Sequence, residues 1–122
     1  MSKMTRVIPK SKRPRYRYIL FRVGIEPERQ IHDREVTYVI MRHLSSHLNP
    51  NVRMIRFKGG YGVIRVERRD AIAARCVLES QIDAPSGRIS ITPIRTSGTL
   101  RALRRKSPDA MRILEDHLPG KG

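Results

Sequence analysis

Two adjacent glycines, Gly59 and Gly60, stand between two runs of β-forming residues, Val-Arg-Met-Ile-Arg-Phe-Lys at 52–58 and Tyr-Gly-Val-Ile-Arg-Val-Glu at 61–67. A two-residue link between paired strands needs positive φ angles, which glycine adopts without a Cβ clash, so the stretch predicts a β-hairpin. A Gly-Gly-x-Gly string also suggests a phosphate-binding loop. Here it leads into a strand, and no Lys-Ser/Thr follows it, so the hairpin reading prevails.

The hairpin constrains its neighbours. Residues 15–25, Arg-Tyr-Arg-Tyr-Ile-Leu-Phe-Arg-Val-Gly-Ile, alternate as a strand. Ile19, Phe21, Val23 and Ile25 form a core face, and Tyr16, Tyr18, Leu20 and Arg22 form the other. That second, amphipathic face is expected under a terminal helix or a partner chain, with direct stacking on RNA bases as the alternative. Asp33 is placed to cap a helix running to about His47, with Val36, Ile40, Leu44 and Leu48 four apart and Asn49-Pro50 ending it. After the hairpin, Asp70 is read as starting a helix to about Gln81, with a stripe of Ala71, Ala74, Leu78 and Ile82. Pro85-Ser86-Gly87 then turns the chain into a strand from Arg88 to Arg95, in which Pro93 demands an edge or a bulge. The order strand, helix, hairpin, helix, strand is βαββαβ, an α+β ferredoxin-like sandwich with an antiparallel sheet. Residues 15–96 are assigned to this sandwich and 97–122 to a C-terminal helical extension of the same domain.

The extension opens with Thr-Ser-Gly-Thr-Leu-Arg-Ala-Leu-Arg-Arg-Lys at 96–106. Ser97 is the expected N-cap, and Leu100 and Leu103 lie three apart on one side. Arg101, Arg104 and Arg105 share the neighbouring side, where planar guanidinium groups at fixed spacing suit phosphate oxygens. The helix start offers room for one more anion. A solvated basic face is the alternative. Ser107-Pro108-Asp109 then opens a last helix through Met111, Leu114 and Leu118, closed by Pro119-Gly120.

Charge favours the anion-binding reading. Lys and Arg number 26 against 11 Asp and Glu, for a formal net charge of +15 over 122 residues. A chain this basic repels itself when compact and calls for a polyanionic partner, nucleic acid first. The stretch from Ala84 to Pro108 holds six basic residues and no acidic one. Residues 1–14 are equally one-sided, with Lys3, Arg6, Lys10, Lys12 and Arg13, and read as a flexible basic arm that orders on a partner. An organelle presequence is the lesser reading of that arm, because Pro9 and Pro14 interrupt it. No apolar segment reaches membrane-spanning length, no secretory signal is recognisable, and the single Cys76 fits a reducing cytoplasm. His43 and His47 are four apart, as in helical metal sites, but no acidic residue accompanies them.

The Arg-Tyr-Arg-Tyr-Ile-Leu-Phe opening, the Gly-Tyr-Gly-Val-Ile-Arg-Val strand and above all the Ser-Gly-Thr-Leu-Arg-Ala-Leu-Arg-Arg-Lys helix resemble the archaeal ribonuclease P protein component 2 family, in register from about Arg15 to Lys106. The resemblance implies an accessory RNA-binding subunit of a ribonucleoprotein endoribonuclease whose RNA removes the 5′ leader of precursor tRNA. It further implies pairing with a TIM-barrel-like subunit, ribonuclease P protein component 3, the two together supporting the RNA's catalytic domain; the expected location is cytoplasmic. Catalysis then belongs to the RNA and its Mg2+, with no catalytic residue, bound cofactor or metal in this chain. The family's basic end falls on Arg101, Arg104, Arg105 and Lys106. Lys10, Lys12, Arg13 and Arg15 complete the expected RNA-binding set. A ribosomal or general structured-RNA-binding protein is the nearest rival. An independent enzyme would need a nucleophile, base and orienter set that the sequence does not offer. A small-molecule regulatory domain of this fold is disfavoured by the charge.

Overall fold

The structure, a computed structural model, describes residues 15–26, 32–48, 52–84 and 87–115. The elements are β1 (Tyr16–Glu26), α1 (Asp33–His47), β2 (Arg53–Lys58), β3 (Tyr61–Glu67), α2 (Ala71–Leu78, after a 3₁₀ turn at Arg68–Asp70), β4 (Gln81–Ala84), β5 (Gly87–Ser97), α3 (Leu100–Lys106) and α4 (Pro108–Glu115). The sheet is antiparallel in the order β2-β3-β1-β5-β4. Four of its strands reproduce the ferredoxin-like βαββαβ arrangement, and β4 is added at the edge.

Alternation along β1 decides the layering. Ile19 and Phe21 join Val36, Ile40 and Leu44 of α1, Ala74 and Leu78 of α2, and Ile64 and Val66 of β3 in one core. Leu20, one residue out of phase, joins Val63 with Leu103 of α3 and Ala110, Met111 and Leu114 of α4 in a second. The sheet is therefore covered on both faces, and Tyr18, Tyr61 and Leu100 flank the second core. Residues 62–64 of β3 are buried on both sides for the same reason.

Two bulges adjust the register. In β2, Met54 pairs with Ile64 but Arg56 with Val63, leaving Ile55 as an extra residue. Met54 and Phe57, three apart, thereby face the same core, which plain alternation forbids. In β5, Leu20 pairs with Arg95 but Phe21 with Pro93, so Ile94 is extra and Pro93, lacking an N–H, sits at the bulge as expected. The hairpin link is also as expected, with φ of 61° at Gly59 and 82° at Gly60. A Cβ on Gly59 would lie 2.7 Å from Ile113 Cγ2, so α4 packs closely on the turn.

Three boundaries differ from the sequence reading. Asp33 is the first residue of α1, not its cap. His32 occupies the cap position without a side-chain hydrogen bond, while Asp33 and Glu35 favour the helix dipole from within the first turn. The second helix ends at Leu78, and Gln81–Ala84 is a strand paired with Gly87–Ser90. Ile82 reaches the core from either conformation, so its four-residue spacing from Leu78 did not separate them. Finally, β5 continues to Ser97, held opposite Tyr18, and the cap of α3 passes to Thr99, whose Oγ1 accepts from the Ala102 N–H at 3.0 Å.

Gly62 lies opposite Phe21, and a Cβ there would fall within the contact distance of its buried ring. Gly62→Ala is expected to destabilise the fold by about 1–3 kcal/mol through overpacking, read as a lower urea midpoint at unchanged slope.

Candidate nucleic-acid interface

The second core fixes α3. Leu103 is fully buried and Leu100 half-buried, which turns Arg101, Arg104, Arg105 and Lys106 outward, all exposed. Arg95 Nε donates to Ser107 Oγ at 3.0 Å and pins the α3–α4 junction to β5. Arg104 is not free: its Nε donates to both carboxylate oxygens of Glu115, at 3.0 and 2.9 Å, and ties α3 to α4. Arg101, Arg105 and Lys106 make no ion pair to a described residue. The start of α3 is partly committed internally, because Thr99 takes the Ala102 N–H.

Of the other expected contacts, Arg15 is exposed at the end of the sheet, where its carbonyl accepts the Arg68 N–H at 2.7 Å. It stands before β1, at the end of the sheet where β5 leads into α3, since Tyr18 pairs with Ser97. Lys10, Lys12 and Arg13 lie outside the described residues.

The fold adds cations that the linear reading had not assigned to a site. Pairing of Arg53 with Arg65, Arg56 with Val63 and Lys58 with Tyr61 places these side chains on the face that α3 and α4 cover. Arg22 of β1 and Arg95 of β5 share that face. The bulge at Ile55 makes Arg53 and Arg56, three apart in sequence, co-facial. Their signal in the sequence was the basic residues recurring within an otherwise apolar hairpin. Side-chain direction waited on the register.

His43 and His47 are on α1, across the sheet from α3. His47 Nδ1 donates to the His43 carbonyl at 2.9 Å, and the rings are 4.6 Å apart. Burial first, then the neighbouring His47, lowers the His43 pKa below its ordinary 6.5, with the Val77 backbone opposing. The folded chain thus favours neutral His43. This contribution to stability is full above about pH 6.5 and is lost as pH falls through the depressed folded value. His43→Gln is expected to flatten the dependence of the urea midpoint on pH across that acidic window.

Among the described residues, no group of three or more His, Cys, Asp or Glu is arranged to hold a metal ion. No described helix is long and apolar enough to cross a membrane. An open groove lined by Glu26, Asp83, Ala84, Gly87 and Arg88 lies at the β4–β5 edge, where Asp83 and Arg88 pair at 3.4 Å.

No protein-family model matches this sequence, and no curated protein matches it. A chain in the cryo-EM structure of yeast ribonuclease MRP is similar in structure, with a TM-score of 0.57 over 85% of this chain and 100% of that one. The two are 11% identical, so the likeness is one of fold.

Proposed function

We propose that this chain is an accessory RNA-binding subunit of a ribonuclease P-type ribonucleoprotein, supporting an RNA that removes the 5′ leader of precursor tRNA. The observation that carries the RNA-binding part is α3, an exposed row of Arg101, Arg105 and Lys106 anchored through Leu103 on a sheet face that itself bears arginines. Guanidinium groups on a docked helix meet phosphates with little loss of freedom, and the charge of +15 supplies long-range attraction. The family resemblance from Arg15 to Lys106 and the fold shared with a chain of a ribonuclease MRP structure support the choice of this ribonucleoprotein.

On this reading the RNA and its Mg2+ carry the cleavage, and the protein neutralises and positions phosphates. A second subunit, ribonuclease P protein component 3, and the catalytic domain of the RNA are the partners. Archaeal origin and a cytoplasmic location belong to the same proposal. So does the contribution of Arg104, Arg15 and the residues Lys10, Lys12 and Arg13.

A ribosomal or general structured-RNA-binding role is the competing reading, since charge and fold suit it equally. Affinity capture of the tagged chain from its native cells, followed by sequencing of bound RNA, separates the two. Recovery of one discrete structural RNA with precursor tRNA supports the proposal. Recovery of ribosomal RNA in ribosomal proportions overturns it.

A further inference from the structure

Helices α3 and α4 cover the middle of their sheet face, but Tyr16, a step beyond Tyr18, is not part of the core they form. Its neighbours there are unusual. The Arg65 guanidinium carbon lies over the Tyr16 ring, 4.2 Å from the centroid. Arg65 Nε is shielded from solvent and has no hydrogen-bond partner among the described residues. Besides this stack the Arg65 guanidinium has no hydrogen bond or ion pair to a described residue, which leaves its terminal nitrogens without a partner among the described residues. Directly opposite in the β2–β3 ladder stands Arg53, exposed and likewise without an ion pair to a described residue.

Like charges directly opposite on a sheet face, about 5 Å apart at Cβ, destabilise the pair unless an anion lies between them. Glu67, the carboxylate next along this face of β3, is held by Arg69 at 3.1 Å. The end of the sheet thus combines a fixed π-surface with two opposed guanidinium groups. One ligand class carries both complements, a planar heterocycle and a phosphate.

We propose that this end of the sheet holds one unpaired nucleotide of a single-stranded RNA segment, its base stacked on the Tyr16–Arg65 pair and its phosphate between Arg65 and Arg53. The site rests on the RNA-binding reading above. It gives the protein a preference that the arginines of α3 do not supply, because phosphate contacts are indifferent to pairing whereas a stacking base must be free of its partner strand.

The test is fluorescence anisotropy with a labelled oligouridylate and a fully paired RNA duplex of equal length, for the wild type, Tyr16→Leu and Tyr16→Phe. Tyr16→Leu is expected to weaken single-strand binding at least about fivefold, with the salt slope unchanged and duplex affinity retained. Tyr16→Phe keeps the wild-type values. Because Tyr16→Leu also removes packing, a thiouridine-substituted strand is photo-crosslinked to the wild-type chain, with adducts expected on the peptides carrying Tyr16 or Arg65. Equal losses on both RNAs, no loss on either, or adducts confined to α3 overturn the site while leaving RNA binding intact. Failure of the wild type to bind either probe overturns both proposals.

Discussion

Leu103→Asp is expected to detach α3 and α4 from the sheet and remove the RNA contacts of α3, leaving those of the sheet. Leu103 is fully buried between Leu20, Val63 and the α4 residues Met111 and Leu114, with no polar residue among the described buried ones to receive a carboxylate. Loss of the side chain alone costs about 2–5 kcal/mol, and the unpaired charge adds to it. Set against the roughly 5–15 kcal/mol of a whole domain, that removes most of the stability of the second core. The first core contains neither helix, so the sheet with α1 and α2 is expected to stay folded. Hydrogen exchange should accordingly show lost protection in 100–115 and retained protection in β1 and β3. Leu100→Asp should be milder, because Leu100 is half-buried and its carboxylate can turn to water. Uniform exchange through the whole chain would show instead that the two cores unfold as one unit.

Replacing Arg101, Arg105 and Lys106 together with Gln is expected to reduce the salt slope of RNA binding by roughly two to three units, at about 0.7–0.9 per phosphate contact. The melt should be unchanged, since none of the three is buried or ion-paired to a described residue. Arg104→Gln should behave differently. It breaks the link to Glu115, at a cost of about 0.2–1 kcal/mol for an exposed pair, and leaves an unbalanced carboxylate beside the row. Affinity then falls by charge repulsion as well as by any lost contact. A triple variant with wild-type slope, affinity and melt would mean that α3 presents only a solvated face. The contacts would then be sought on Arg53, Arg56 and Arg65, and on Lys10, Lys12 and Arg13.

Much of the fold was legible because its signals are local. The alternation of residues 15–25 separates two cores, and it does so in the structure with Ile19 and Phe21 on one side and Leu20 on the other. Gly59-Gly60 locates the hairpin, because positive φ is a property of those residues themselves. The row of cations on α3 was visible for a similar reason: Leu100 and Leu103 set the buried side, and a helix repeats in a known period. The residues at 81–84 carried no such signal. Four residues are too few to show a period, and Ile82 is apolar at a position that suits helix or strand.

The sequence by itself determined the hairpin, the two-faced first strand, the basic excess and the basic side of α3, since each depends on residue type and near-neighbour spacing. Tertiary structure alone decided the rest. Pairing with Tyr18 drew Ser97 into β5 and moved the cap of α3 to Thr99. The proximity of α3 and α4 joined Arg104 to Glu115, eleven residues on. The bulge at Ile55 turned Arg53 and Arg56 to one face and set Arg53 opposite Arg65, beside Tyr16 from a third strand. Such pairings depend on register and on which strands become neighbours. Those follow from how all the apolar side chains pack at once, and no local run of residues encodes that.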